Sequence, residues 1–260
     1  MEMEFALIGF VVGTLVGLTG IGGGALMTPV LLFLGVPIEK AIGTDLLYAF
    51  SVKALSSAMY KKGKSVDNVL VKLTVPSGIL GVFAGYFLLK TGVVNREALT
   101  TILGVTLFSV AMLMVISSVR KRFKTECLVC EKYCERFEEG NGKKVTIAAI
   151  AFFVGILVEL TSIGSGTLLT FAILTVTNLK PNKIVGSDLI TSLFLTGTAS
   201  ILHADLGNID FTLASYLIPS GLAGSVVGYS LAKKCSPEIL KSAISLCIAL
   251  AALTVIIGST

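Results

Sequence analysis

The feature that most constrains the fold is a series of long apolar runs separated by short charged clusters. Hydrophobic residues make up 54% of the 260-residue chain and charged residues only 14%. A helical run of about 18 or more apolar residues is long enough to cross a hydrocarbon core of roughly 30 Å. The sequence therefore predicts an all-α polytopic membrane protein with about eight transmembrane segments, at 5–34, 38–60, 67–90, 96–119, 145–179, 183–203, 210–232 and 236–258.

An internal repeat organises these segments. A shift of 142 or 143 residues aligns the motif at 18–24 with the one at 160–166, and the motif at 43–46 with the one at 186–189. Duplicated halves are common in transporters, whose sites lie at the repeat interface. We therefore predict two homologous four-span repeats, at 1–119 and 145–260, whose first helices are interrupted. A charged, cysteine-containing loop at 120–144 joins them.

The orientation follows from the basic connections. Segments 61–64 and 120–144 are the most basic and are separated by two spans, so the positive-inside rule places both in the cytoplasm of a cell-membrane protein. Eight crossings would put both ends of the chain inside, leaving Lys233 and Lys234 as a mild violation. Each interrupted segment could be one bent crossing or a re-entrant hairpin. The charge pattern favours an even span count and parallel repeats, whereas an odd count would invert them.

The interrupted segments are the predicted binding site. Irregular backbone survives at membrane depth only where protein buries it or where it lines a polar cavity. The N-terminus of the following half-helix offers free N–H groups and a positive dipole end that bind anions. We predict recognition of a small oxyanion by Thr19, Gly20, Gly22, Gly23, Gly24, Thr161, Ser162, Gly164, Ser165 and Gly166.

Close helix packing is the alternative explanation for the small residues. It is favoured for the glycines spaced by four residues, which are Gly9, Gly13 and Gly17 in the first run and Gly81 and Gly85 in the third. For the clustered glycines within the breaks, a binding role is favoured, because three consecutive glycines exceed what a packing face needs.

The pattern Gly17-Leu-x-Gly-Ile-Gly-Gly-Gly24, followed by Pro29 and by the Gly-Thr-Asp-Leu motif at 43–46, resembles the sulfite exporter TauE/SafE family of membrane transporters. The resemblance covers nearly the whole chain and implies a secondary carrier for small sulfur-containing or organic anions. The second repeat departs from the pattern, since serines replace two of its glycines, at Ser162 and Ser165. There, serine hydroxyls could take the place of backbone donors.

Ionisable residues inside predicted spans default to functional hypotheses. Asp45 and Asp188 are repeat equivalents, preceded by Thr44 and Ser187. These four could hold or cap the broken backbone, or could serve in gating or in coupling to a proton. Lys53 has no cationic counterpart in the second repeat. It could neutralise Asp45, snorkel towards the interface, or attract the substrate.

Two further ionisable residues lie in the second repeat. Glu159 immediately precedes the second break, where capping of backbone donors and a transport role are equally supported. His203 is the only histidine and lies at the end of a span, so an interfacial, non-catalytic role is expected.

The middle loop contains Cys127, Cys130 and Cys134 in a C-x2-C-x3-C arrangement. Thiolates at this spacing can bind zinc or a similar soft metal. Reduced cytosolic thiols or a redox-sensitive pair are the alternatives. Apart from this candidate metal, no cofactor is expected.

The function predicted from these features is secondary transport of a small anion by alternating access between the two repeats, with a passive anion channel as the alternative. The expected partners are the anion, the bilayer and a coupling proton; a homodimer is left open and nucleic acid is not expected. The sequence carries no G-x-x-x-x-G-K-[ST] nucleotide motif and no convincing acid–base dyad at membrane depth. The chain is therefore not expected to be an enzyme.

Overall fold

The computed structural model describes residues 2–19, 24–61, 66–124, 140–166, 168–177, 179 and 181–232. The elements in these ranges are nine α-helices: α1 (Glu2–Thr19), α2 (Gly24–Phe33), α3 (Ile38–Lys61), α4 (Asn68–Lys90), α5 (Arg96–Lys124), α6 (Asn141–Thr161), α7 (Leu168–Val176), α8 (Pro181–Asp205) and α9 (Phe211–Ala232). The predicted final span, 236–258, lies outside the described residues.

Four of these helices are long and apolar enough to cross a membrane by length and composition. They comprise most or all of α4, α6, α8 and α9. Helix α1 contributes a shorter apolar stretch, Met3–Gly17, and α3 carries the buried charges of Asp45 and Lys53 within its length. This architecture agrees with a polytopic membrane protein, whereas the predicted arrangement of eight spans in two four-span repeats is not confirmed.

Helices α1, α3 and α9 run in the same direction. Along α1, a Cβ added at Gly9 would meet Leu217, one at Gly13 would meet Gly221, and one at Gly17 would meet Ser225, so contacts advance together on α1 and α9. Along α3, Thr44 bonds to Asp210, and Tyr48, four residues later, packs against Gly221. Helices α1 and α3 are therefore both parallel to α9.

Helices α4, α6 and α8 form a second parallel set. Ser187, Thr191 and Asp205 of α8 contact Asp67, Thr74 and Tyr86 in the same order. Helix α6 follows α4 in the same sense, since Gly155 packs on Gly78 and Glu159 packs on Gly85.

The two sets run in opposite directions. A Cβ at Gly43 near the start of α3 would meet Asn208, just beyond the end of α8, whereas Gly197, further back along α8, packs against Phe50, further along α3. Equivalent helices of the two repeats, such as α1 and α6, are therefore antiparallel. This corrects the parallel arrangement that the charge pattern favoured.

Small residues allow the closest contacts between the repeats. Gly13 of α1 leaves room only for the backbone of Gly221 in α9, and its repeat equivalent Gly155 of α6 does the same for Gly78 in α4. These contacts are the equivalent ones in the two halves. They confirm the packing interpretation for the spaced glycines, because any larger side chain would collide with backbone rather than with a movable side chain.

The interrupted second segment folds back on itself. Glu159, near the end of α6, contacts His203, near the end of α8. Thr170, in the first turn of α7, contacts Asp188, which lies 15 residues or about 22 Å earlier along α8. Residues 162–166 therefore carry the chain back into the bundle, and α7 continues as a half-length helix of about 14 Å.

Candidate anion site between two broken helices

The two short helices are fastened by equivalent hydrogen bonds. Thr28 of α2 donates to Oδ2 of Asp45 at 2.5 Å, and Thr170 of α7 donates to Oδ2 of Asp188 at 2.7 Å. Both threonines and both aspartates are related by the internal repeat. In both halves, the hydroxyl of the short helix therefore donates to a carboxylate of the next helix.

The second break depends on backbone conformations that favour glycine. Gly164 has φ +113° and Gly166 has φ +126°, both in a region that L side chains rarely adopt. Ser162 follows the last residue of α6 in the left-handed conformation, with φ 60°. Helix α7 then begins at Leu168, so its positive N-terminal end is directed at the break.

Lys53 places a charged amine against this break. Only 2% of its surface is exposed, and Nζ donates to the carbonyl oxygen of Ser165 at 2.9 Å and to Oγ of the same residue at 2.6 Å. The amine also lies within electrostatic range of both Asp45 and Asp188. The snorkelling interpretation is therefore wrong, because the side chain points into the bundle and joins α3 to the second break.

Polar atoms without a partner surround this amine. Within the described part of the chain, Oδ1 of Asp45, Oδ1 of Asp188 and Oγ of Ser162 are buried and make no hydrogen bond. Ser162 lies close enough to Asp45 to interact with its carboxylate. One cation, two half-satisfied carboxylates and a buried hydroxyl are thus brought together where both half-helices begin, an arrangement suited to a small polar ligand.

The residues preceding the two aspartates link the repeats instead of lining the break. Oγ1 of Thr44 accepts from the backbone N–H of Asp210 at 3.1 Å, and Oγ of Ser187 accepts from the backbone N–H of Asp67 at 2.8 Å. Asp67 in turn caps α4 by accepting from two N–H groups of its first turn. Their predicted part in gating or coupling stays a prediction.

Several predicted site residues cannot be placed. Gly20, Gly22 and Gly23 lie outside the described residues, as do Cys127, Cys130 and Cys134. Thr19 is the last residue of α1 and Gly24 the first of α2, so they flank the first break. Thr161 holds the end of α6 by donating to the carbonyl of Leu157 at 2.6 Å. Among the described residues, no group of three metal-ligating side chains occurs.

Glu159 and His203 form a buried pair that sequence reasoning did not connect. Nε2 of His203 lies 2.9 Å from the carbonyl oxygen of Glu159 and 3.6 Å from its Oε1. Side-chain exposure is 2% for His203 and 0% for Glu159. His203 is therefore buried against neighbouring helices in the last turn of α8, and its expected interfacial, non-catalytic role stays a prediction. The one available signal was that Glu159 precedes the second break and that His203 ends the next span, which does not fix a contact.

Comparison with known proteins agrees with the resemblance. The family model described as sulfite exporter TauE/SafE matches residues 5–255. The chain is 32% identical to the probable membrane transporter protein YjnA of Bacillus subtilis, covering 93% of this chain and 94% of the relative. It is 24% identical to the probable membrane transporter protein MJ0441 of Methanocaldococcus jannaschii, covering 94% of each.

No solved structure matches this chain. The family match nevertheless spans both breaks, both aspartates and Lys53, and its relatives are covered over nearly their whole length. A bundle of apolar helices with an interrupted centre fits the transporter names that these relatives carry. The chain is a multi-pass membrane protein that belongs to the sulfite exporter TauE/SafE family of membrane transporters.

Proposed function

We propose that this protein is a secondary transporter of small anions, of the class of sulfite, thiosulfate and sulfoacetate. The observation that carries the proposal is the buried amine of Lys53, bonded to Ser165 at the second break. Its charge is available at the place where the N-terminal ends of α2 and α7 add their positive dipoles. A sulfur oxyanion is small, charged and rich in acceptor oxygens, which matches such donors.

The charges at this site determine how tightly the anion is held. At an effective dielectric constant of 20, two unit charges 4 Å apart interact by about 4 kcal/mol. The carboxylates of Asp45 and Asp188 offset part of the attraction between Lys53 and an anion. A transporter needs this balance, because a substrate held by an uncompensated buried cation would leave too slowly for turnover.

The helix directions support a particular topology. If each repeat crosses the membrane five times, with the short helix and its extended segment as the second crossing, the repeats are inverted. Most Lys and Arg residues then fall at one end of the bundle. They lie in or beside the ends of α3, α5 and α9 and the starts of α6 and α8. Lys233 and Lys234 immediately follow the end of α9 in the sequence.

The other end of the bundle carries fewer basic residues, which are Lys40, Lys90 and Arg96. By the positive-inside rule the lysine-rich end is cytoplasmic, and Lys233 and Lys234 cease to be a violation. The start of α1 then lies outside. With the native cysteines replaced, a cysteine introduced at Glu4 should react in intact cells with a reagent that cannot cross the membrane.

Inverted repeats also supply a route to alternating access. The two arrangements of such a bundle are related by exchange of conformation between the halves around a central site. Here each repeat's first helix packs on the other repeat's fourth, α1 on α9 and α6 on α4. These glycine-lined pairs would move as units, while α3 and α8 and their half-helices change the access to Lys53.

Transport in liposomes tests this proposal. Purified protein should move at least one anion in a panel of sulfite, thiosulfate, sulfoacetate, sulfate, carboxylates and chloride, relative to protein-free liposomes. A carrier should show accelerated uptake when unlabelled substrate is present inside, whereas a passive channel should respond only to the electrochemical gradient. If no anion of the panel moves under imposed pH and voltage gradients, the proposal fails.

A further inference from the structure

The pair of Glu159 and His203 lies outside the anion site and is absent from the first repeat. The positions equivalent to Glu159 and His203 are Gly17 and Tyr60. The pair joins α6 to α8 at the end of the bundle opposite the basic connections. The second repeat thus carries an ionisable pair that the first repeat lacks.

The hydrogen bonding defines which atoms carry hydrogen. A carbonyl oxygen can only accept, so the contact with Glu159 requires that Nε2 of His203 carry the N–H. In the neutral ring, Nδ1 is then an acceptor, and within the described residues it has no partner. Neither carboxylate oxygen of Glu159 has a hydrogen-bond partner there, and the separation of 3.6 Å from Nε2 is too long for one.

An ionised carboxylate in such surroundings is strongly disfavoured. It lacks water, lacks a donor, and lies near the C-terminal end of α6, whose partial negative charge opposes a second one. Binding of a proton to an oxygen of Glu159 removes that charge. When this end of the bundle opens to water, the carboxyl O–H bond can break and the proton passes to solvent.

Helix α4 packs on the pair and carries ionisable groups at the same end of the bundle. Helix α4 contributes Gly85, which packs on Glu159, and Tyr86, which donates to Asp205 of α8 at 2.6 Å. Lys90 of α4 donates to the Tyr86 hydroxyl at 2.7 Å. Lys90 and Asp205 are both more than half exposed.

The remaining helices packed on α6 and α8 contribute less. Helix α5 begins with Arg96 and Glu97, and Arg96 bonds to Glu39 of α3. Helix α3 offers Lys53 and Asp45, which belong to the anion site. The α7 sequence contains no ionisable residue. Within the described residues, no lysine or arginine of these helices bonds to Glu159. Binding of a proton is therefore the remaining way to neutralise its carboxylate.

We propose that Glu159, together with His203, is a proton-binding site that couples anion movement to the pH gradient. The inference rests on the proposed transport function and assigns its coupling ion. A proton bound by Glu159 from the non-cytoplasmic side is carried through the same conformational cycle as the anion. His203 is a positioning residue, since its N–H fixes the backbone on which the carboxyl stands.

The test separates exchange from gradient-driven accumulation. Liposomes containing the wild type, Glu159→Gln or the control Glu97→Gln are assayed with radiolabelled sulfite and a trapped pH-sensitive dye. Glu97 is an exposed acid at the same end of the bundle. We expect Glu159→Gln to reduce pH-driven accumulation and proton movement by roughly tenfold or more while sulfite–sulfite exchange continues. Glu97→Gln should behave as the wild type.

Retention of pH-driven accumulation by Glu159→Gln would overturn the inference. If the wild type itself moves no sulfite or other panel anion, the proposed function fails instead. Should Glu159→Gln not fold, infrared difference spectra of the wild type across a pH titration decide the matter. A protonated carboxylic acid band that His203→Gln perturbs is expected; the absence of any pH-sensitive carboxylic acid band refutes a proton-binding Glu159.

Discussion

The first and second interrupted segments fasten their short helices in the same way and differ in the charges they bring to the centre. Thr28 bonds to Asp45 in one half and Thr170 bonds to Asp188 in the other. Lys53, however, faces the second break from the first repeat. Its equivalent, Thr196, donates to a carbonyl of its own helix at 2.8 Å.

This difference distinguishes structural contacts, which both halves share, from the ionisable groups that only one half carries. The threonine–aspartate contacts occur in both halves, whereas the buried cation and the Glu159–His203 pair have no equivalent in the other half. In the proposed alternating-access mechanism, the paired contacts would be exchanged between two conformations at little cost, since each half would adopt the arrangement of the other. The single groups would then give the site one charge for the anion and one location for the proton, so the proposed transport chemistry would depend on residues that differ between the repeats.

The largest expected effect comes from removing the unpaired cation. Lys53→Met leaves Asp45 and Asp188 without a compensating charge and deprives an anion of its charged donor. A hydrogen bond to a charged group contributes about 1.5–3 kcal/mol, so sulfite affinity should fall by roughly tenfold to more than a hundredfold. Thr196→Val, at the equivalent position, should have little effect. Equal losses of sulfite affinity in both variants would show that Lys53 does not bind the anion.

Smaller effects are expected from the threonines that fasten the short helices. Thr28→Val and Thr170→Val each remove one donor to a buried carboxylate. We expect a loss of about 1.5 kcal/mol in the free energy of unfolding, at the low end for bonds to charged groups and near the upper end between membrane helices. Thermal unfolding in detergent should show similar shifts. A large shift in only one variant would contradict the equivalence of the two threonine–aspartate contacts.

Much of this arrangement could be predicted from sequence, because a duplication leaves matched motifs at a fixed offset. Gly164, Asp45 and Asp188 were identified in that way, and the helix-breaking conformation of Gly164 follows from its residue type. Helix direction was not accessible, because a hydropathy profile is the same for a bent crossing and a hairpin. It required the order of contacts between helices, such as Gly13 with Gly221.

The environment of individual side chains could not be predicted from the sequence either. The local sequence fits Lys53 equally well as a snorkelling residue or as a buried cation, since both occur within apolar runs. The partner decides between them, and Ser165 lies 112 residues away. Glu159 and His203 were each noted separately for the same reason: their contact depends on the parallel packing of α6 and α8, which neither local sequence specifies.

The packing glycines allow a further comparison between the halves. Gly13→Ala and Gly155→Ala each place a methyl group against the backbone of the opposing helix. Overpacking typically costs about 1–3 kcal/mol, and we expect each variant to lose free energy of unfolding within that range. The matched control is Gly142→Ala, where a Cβ meets nothing within 4 Å. If Gly13→Ala and Gly155→Ala lower the unfolding temperature no more than the control does, close approach of the paired helices is not needed for stability.

The smallest effect is expected at the links between repeats. Thr44→Val and Ser187→Ala remove the acceptors of the Asp210 and Asp67 backbone N–H groups. Side-chain hydrogen bonds between membrane helices contribute about 0.6 kcal/mol on average, so each variant should unfold slightly more easily while still binding sulfite. If these hydroxyls instead serve in gating, transport will slow with no change in unfolding. Because the two links lie near opposite ends of α8, the double variant should show additive losses; a larger combined loss would mean that the two links form and break together.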